Sequence, residues 1–159
     1  MMSASRLPEP ASAAVFEDSR GRLMLVEFNQ LPFVPTRSYV LDEIPVGGRR
    51  AGHASRTQHR LLLGLAGRAR VTLDNGEESI EVELAPPRTL CLPPGTWLEI
   101  VAIAEGTGVL VFADGDYDRS DIIEDRSQLP LTSGNGAAHA PPRPAAHAPL
   151  GAGPHAARP

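Results

Sequence analysis

Lysine is missing altogether: all 15 basic residues of this 159-residue chain are arginine. Set against 19 acidic residues they leave a net charge of -4. With no basic excess to neutralise a track of phosphates, nucleic-acid binding as the main role is disfavoured. The arginine-only usage, with abundant Ala, Pro and Gly, marks a GC-rich bacterial coding sequence and speaks to source, not function. Cysteine is nearly absent too. The single Cys91 has no internal disulfide partner, and within the apolar run Leu90-Cys91-Leu92 it reads as a small buried hydrophobe. No apolar stretch approaches the roughly 18 residues a membrane helix needs, and no basic-then-apolar segment opens the chain. A soluble, cytoplasmic protein without a membrane partner is expected.

What is present divides into three parts. Residues 1–13 are small, polar and Pro-containing without apolar periodicity, and read as a flexible arm. Residues 131–159 shift to Ala, Pro, Gly and His, a composition that buries too little surface to offset its ordering entropy, and read as a disordered tail. His139, His147 and His155 recur there at a spacing of eight, but no carboxylate or cysteine accompanies them, so a low-complexity tail is preferred to a metal-binding tract. Residues 14–130 form the one folded domain.

That domain is β-rich. Strands are expected over Leu23–Phe28, Arg37–Leu41, His59–Leu65, Ala69–Leu73, Glu78–Leu84, Thr89–Leu92, Trp97–Ile103 and Gly108–Ala113, with Ala14-Val15-Phe16 ahead of a turn at Asp18-Ser19-Arg20-Gly21. The separators carry turn chemistry, including Pro45-Val46-Gly47-Gly48, Asp74-Asn75-Gly76-Glu77 and Pro93-Pro94-Gly95. Asn75-Gly76 is the strongest hairpin signal, since a type I′ turn needs positive φ at both central residues. Short helical character is expected only over Ser120–Leu129. Eight or so short strands at this spacing argue an all-β, closed or sandwiched antiparallel sheet.

Small barrels carry function where inward side chains converge on an open mouth. If the segment starting at His53 is extended, His53, Ser55, Thr57 and His59 share one face, while a bulge would bring Arg60 inward instead. Imidazoles and hydroxyls on one face make an unlikely dry core; a solvated edge strand is the plain alternative.

The order of motifs resembles a known family. A Gly-rich turn, Arg49-Arg50, His53-Ala54-x-Arg56, an apolar strand, Gly67, Val71-x-Leu73-Asp74-x-Gly76 and Pro93-Pro94-Gly95-Thr96-Trp97 look like the cupin-fold sugar 3,4-ketoisomerases. The likeness extends to Arg20-Gly21, Leu31-Pro32-Phe33, Arg37-x-Tyr39, Asp116-Tyr117-Asp118 and Asp121-x-Ile123, so it spans nearly all of the folded part. It implies a single cupin, or double-stranded β-helix jelly-roll, barrel. It also implies an isomerase that moves the ketone of a TDP-4-keto-6-deoxyhexose from C4 to C3 through an enediol, in deoxysugar biosynthesis.

By this resemblance His53 takes the first position of a His-x-His pair, and Ser55 stands where the second histidine is usual. A hydroxyl is a poor base at neutral pH, so His53 is the principal base candidate and His59 a second. Tyr39 is the candidate acid or hydroxyl clamp. Arg37 would face the substrate, Arg49 and Arg50 would bind pyrophosphate, where a guanidinium fork suits phosphate oxygens, and Arg60 stands where glutamine is usual. Trp97 would stack on the base or line the mouth, or else pack in the core; Leu98 replaces a polar residue near the sugar and could alter which keto sugar fits. The metal-binding cupin pattern is broken by Ser55 and by the lack of a histidine after Pro93-Pro94-Gly95, so no metal and no cofactor is expected. The implied partner is a nucleotide-sugar substrate, and the implied assembly a homodimer that exchanges an N-terminal strand. Because of Ser55 a second reading stays open, a catalytically weakened cupin that binds a sugar nucleotide or assists another sugar-modifying enzyme.

Overall fold

The computed structural model describes residues 7–130, which form an all-β barrel of two antiparallel five-stranded sheets and a separate hairpin. The strands are β1 (Ala11–Ser12), β2 (Ala14–Asp18), β3 (Gly21–Leu25), β4 (Arg37–Ile44), β5 (Arg49–Ser55), β6 (Arg60–Ala66), β7 (Ala69–Asp74), β8 (Ser79–Leu84), β9 (Arg88–Leu92), β10 (Trp97–Ala102), β11 (Thr107–Ala113) and β12 (Ile122–Ile123). One sheet runs β1-β9-β6-β11-β4, the other β12-β5-β10-β7-β8, and β2 pairs with β3. Successive long strands from β4 to β7 alternate between the sheets, as a jelly roll requires.

Alternation explains the core. Leu62, Leu90, Val109 and Val111 of the first sheet meet Val71, Leu73, Leu98 and Ile100 of the second, all fully or almost fully buried. Each such aliphatic side chain contributes about 1.5–3 kcal/mol by leaving water. A smaller cluster of Ala54, Trp97, Ile123 and Leu129 covers the other face of β5 and β10. Cys91 is partly buried and unpaired, and burial pushes its thiol pKa up, with Asp114 adding to the shift. No helix among the described residues is long and apolar enough to cross a membrane.

Several expectations need correction. The arm is not free throughout: Leu7 sits in the main core and β1 pairs with β9, Ala11 opposite Thr89. Residues 1–6 and the expected tail at 131–159, with its three histidines, lie outside the described residues. The β7–β8 loop is not a two-residue type I′ turn. Gly76 alone has positive φ there, and the pairing of Asp74 with Ser79 leaves four loop residues, braced by the Asn75 side chain accepting from the Glu77 and Glu78 amides. The segment 120–129 holds no α-helix. Asp118 and Asp125 cap two short 3-10 turns, Arg119–Asp121 and Arg126–Gln128, and β12 between them pairs with β5. The strand from Leu23 ends at Leu25, and Phe28 packs edge-on against Phe112, 5.1 Å between centroids.

Gly67, between β6 and β7, holds φ at 62°, and a Cβ there would lie 2.6 Å from Thr107 Oγ1 and 2.7 Å from its Cα. Both the left-handed backbone and the contact oppose any side chain. Gly67→Ala is expected to cost about 1–3 kcal/mol in a urea melt; a loss too small to measure would contradict this packing.

Candidate active site

The site is built where the two sheets meet at one end of the barrel. On β4, Arg37 and Tyr39 are two residues apart and so share a face, which register aligns with Ala113 and Val111 of β11. Ala113 is also opposite Arg60 of β6, so Arg37, Ala113 and Arg60 form a row across three strands. From the other sheet, His53 lies opposite the buried Leu98 of β10 and therefore points inward. Ahead of it Ala51 and Gly52 both have positive φ, 63° and 81°, and the register slips between Leu98 and Glu99. This bulge gives β5 one extra residue and resets which side chains face in.

Ser55 closes β5, and the chain then turns a corner through residues 56–59 to enter the first sheet at Arg60. Asp121 holds that corner. Its carboxylate accepts from the Ser55 hydroxyl, from the Thr57 amide at 2.9 Å and from the Thr57 hydroxyl at 2.7 Å. Ser55 Oγ in turn accepts from the Gln58 amide at 3.0 Å, and Gln58 Oε1 accepts from Arg37 Nη2 at 3.0 Å.

Together these elements enclose a cavity of about 400 Å³ lined by Arg37, Tyr39, His53, Ser55, Gln58, Arg60, Tyr117, Asp118, Asp121 and Ile122. The size suits a small polar ligand such as a sugar ring. Arg60 is 3 % exposed; Nη2 donates to the Thr96 carbonyl at 2.8 Å, while Nε and Nη1 have no partner. Burial pushes its pKa down, countered by Tyr39 and Asp121. His53 is held below the ordinary histidine range, first by burial and then by the Arg60 charge, against a weaker pull from a backbone hydrogen bond to Ala51 and from Glu124.

Five of the expected site residues thus converge: Arg37, Tyr39, His53, Ser55 and Arg60. The other five do not line the cavity. His59 does not share the face of Ser55, because the corner breaks the alternation; its ring stacks on Phe33 and its Nδ1 is 2.9 Å from Asp114. Arg49 pairs with Glu99 at 3.1 Å on the opposite face of the sheet from His53. Arg50 is exposed. Trp97 packs in the smaller cluster with Arg126 over its ring, and Leu98 in the main core. Sequence reasoning did not assign Gln58, Tyr117, Asp118, Asp121 or Ile122 to the site, although the Asp116-Tyr117-Asp118 and Asp121-x-Ile123 signals stood in view.

A jelly-roll barrel with a cavity carrying one histidine, two tyrosines and two arginines defines a small cupin-type protein. The chain belongs to the family described as FdtA: WxcM-like, C-terminal, whose pattern matches residues 9–131. It is 32% identical over 108 residues to the TDP-4-oxo-6-deoxy-alpha-D-glucose-3,4-oxoisomerase of Aneurinibacillus thermoaerophilus, covering 67% of this chain and 78% of that one. Among solved structures, QdtA, a sugar 3,4-ketoisomerase from Thermoanaerobacterium thermosaccharolyticum in complex with TDP, superposes with TM-score 0.70 at 26% identity, over 76% of this chain and 90% of the other. A 3,4-ketoisomerase from Helicobacter canadensis superposes with TM-score 0.71 at 22% identity over 77% and 93%, a likeness of fold.

Two measurements probe this geometry. Asp121→Ala leaves the Ser55 and Thr57 donors unmatched and is expected to lower stability by about 1.5–3 kcal/mol; an unchanged melting curve would contradict its bracing role. When its ring is followed by NMR, His53 is expected to titrate with a midpoint below the ordinary histidine value; a midpoint at or above it would contradict its burial beside Arg60. Because the folded value is depressed, its contribution to stability is complete above the ordinary histidine pKa and is lost as pH falls below it, where the unfolded chain takes the proton first.

Proposed function

We propose that this protein is a nucleotide-sugar 3,4-ketoisomerase that moves the ketone of a TDP-4-keto-6-deoxyhexose from C4 to C3. The observation that carries the reading is His53, inward on β5 and facing a sugar-sized cavity with Tyr39, Arg37 and Arg60, in a chain of the FdtA family. A neutral imidazole is the form that accepts a proton, and the depressed pKa of His53 keeps it in that form near neutrality.

In the proposed reaction His53 takes the proton from C3. The C–H electrons form the C3–C4 double bond, and the carbonyl π pair moves onto O4. The proton of O3 passes to O4, with the Tyr39 hydroxyl placed to relay it, and His53 returns its proton to C4 as the C3 ketone forms. One base serving both carbons fits a site in which the Ser55 hydroxyl is committed to Asp121. Arg49 is engaged by Glu99, so Arg50, exposed on the strand that carries His53, is the better candidate for the pyrophosphate.

A cytoplasmic homodimer is the proposed working form. The β2–β3 hairpin joins neither sheet among the described residues, and it exposes Phe16 (59%) and Leu23 (58%) along with Val15 and Leu25. A second copy covering it would bury this patch and its strand edges.

Incubation with TDP-4-keto-6-deoxyglucose in deuterated buffer, followed by NMR, is expected to give a 3-keto product that carries deuterium at C4 to the extent that the proton on His53 exchanges with solvent, with His53→Ala slower by about 10²–10⁴-fold. Saturable binding without a 3-keto product would replace the isomerase by the sugar-nucleotide-binding reading, and full turnover by His53→Ala would remove His53 as the base. In sedimentation, the Phe16→Ser/Leu23→Ser variant is expected to shift a dimeric wild type toward monomer; a monomeric wild type would end the dimer proposal.

A further inference from the structure

Arg60 is the least comfortable residue of the barrel. It occupies the inner-face row that continues as Leu62 on β6, opposite Leu92 and Ala113, both buried. A cation in such a place is costly unless an anion accompanies it. Among the described residues no carboxylate forms an ion pair with it. The two carboxylates of the cavity are occupied elsewhere: Asp121 by Ser55 and Thr57, and Asp118 by the amide and hydroxyl of Ser120. Arg37 stands across the small Ala113 from Arg60, two strands away, and its Nε is also buried without a partner. Two guanidinium groups thus border one side of the cavity with three unmatched nitrogens between them, donors that an entering oxyanion would satisfy.

We infer that Arg60, with Arg37 beside it, receives the enediolate oxygen of the reacting sugar and is a catalytic residue of this protein. The inference rests on the isomerase reading and names the charge that the reading leaves unsupported. When His53 removes the C3 proton, negative charge gathers on O4, and preorganised donors in a water-poor cavity stabilise that charge far more than they do the ground-state carbonyl. The same cation helps keep His53 unprotonated before the transfer, and it faces the charge that develops on the sugar during it. A glutamine at this position would donate a hydrogen bond but bring no charge.

The test compares the full-length wild type with Arg60→Gln and Arg60→Lys. Arg60→Gln is expected to lower kcat about 100-fold with KM changed less than about threefold, because the contact is made in the transition state. Its unliganded Tm should be equal or higher, because an uncompensated buried charge has gone. Arg60→Lys should recover part of the rate. A kcat within about threefold of wild type, a change in KM alone, or an activity loss matched by a fall in Tm would overturn the inference. If the wild type does not isomerise the substrate, the functional reading fails and the anion site is judged separately. Sodium formate, against sodium chloride at equal ionic strength, should raise the Tm of the TDP-bound wild type and not of Arg60→Gln; an equal response in both would overturn the site.

Discussion

The corner between β5 and β6 is the constraint on which the rest of the site depends. A jelly roll must pass its chain from one sheet to the other, and here that passage falls between the two walls of the cavity. Asp121 fixes it by accepting from Ser55 on one side and from Thr57 within the turn. Because backbone and hydroxyl donors converge on one carboxylate, the corner has little freedom to unwind into a continuous strand. Its geometry decides that His53 and Arg60 both face the cavity, although only six residues lie between them in sequence. The segment that supplies Asp121 is tied down in turn by β12 and by the packing of Ile123 and Leu129 beside Trp97. The small second cluster is therefore part of the active-site framework and not an accessory to the core.

Much of the fold is legible in the sequence because it depends on local rules. Alternating apolar residues and Gly- or Pro-containing turns locate nearly every long strand, and residues two apart on β4 must share a face, so Arg37 and Tyr39 arrive together. Legibility ends where tertiary contacts override local pattern. The bulge at Ala51-Gly52 and the corner after Ser55 each reset the alternation, and so Arg60 replaces His59 in the cavity. Trp97 and Leu98 belong to one strand covered on both faces, a condition set by the distant segment around Ile123, which their own neighbours do not announce. Asp121 lies 66 residues from Ser55. No spacing rule reaches that far, and only the motif resemblance hinted at its importance.

The cavity also divides its charges by function. Its acidic groups are spent on architecture, each holding a turn or a capped end, whereas its arginines keep donors free. A site organised in this way leaves its unengaged donors on two arginines, while its two carboxylates are already held by hydroxyls and amides. Net charge thus describes this protein poorly; what matters is which polar groups the fold has already engaged.

Seen from the corner, Ser55 is a brace. The Ser55 hydroxyl accepts from the Gln58 amide and donates to Asp121, and Gln58 steadies Arg37. An imidazole at that position would have to take over this wiring before it could offer a lone pair to a sugar. Its hydroxyl is a piece of masonry, and the wall it supports is the one that carries His53 into the cavity.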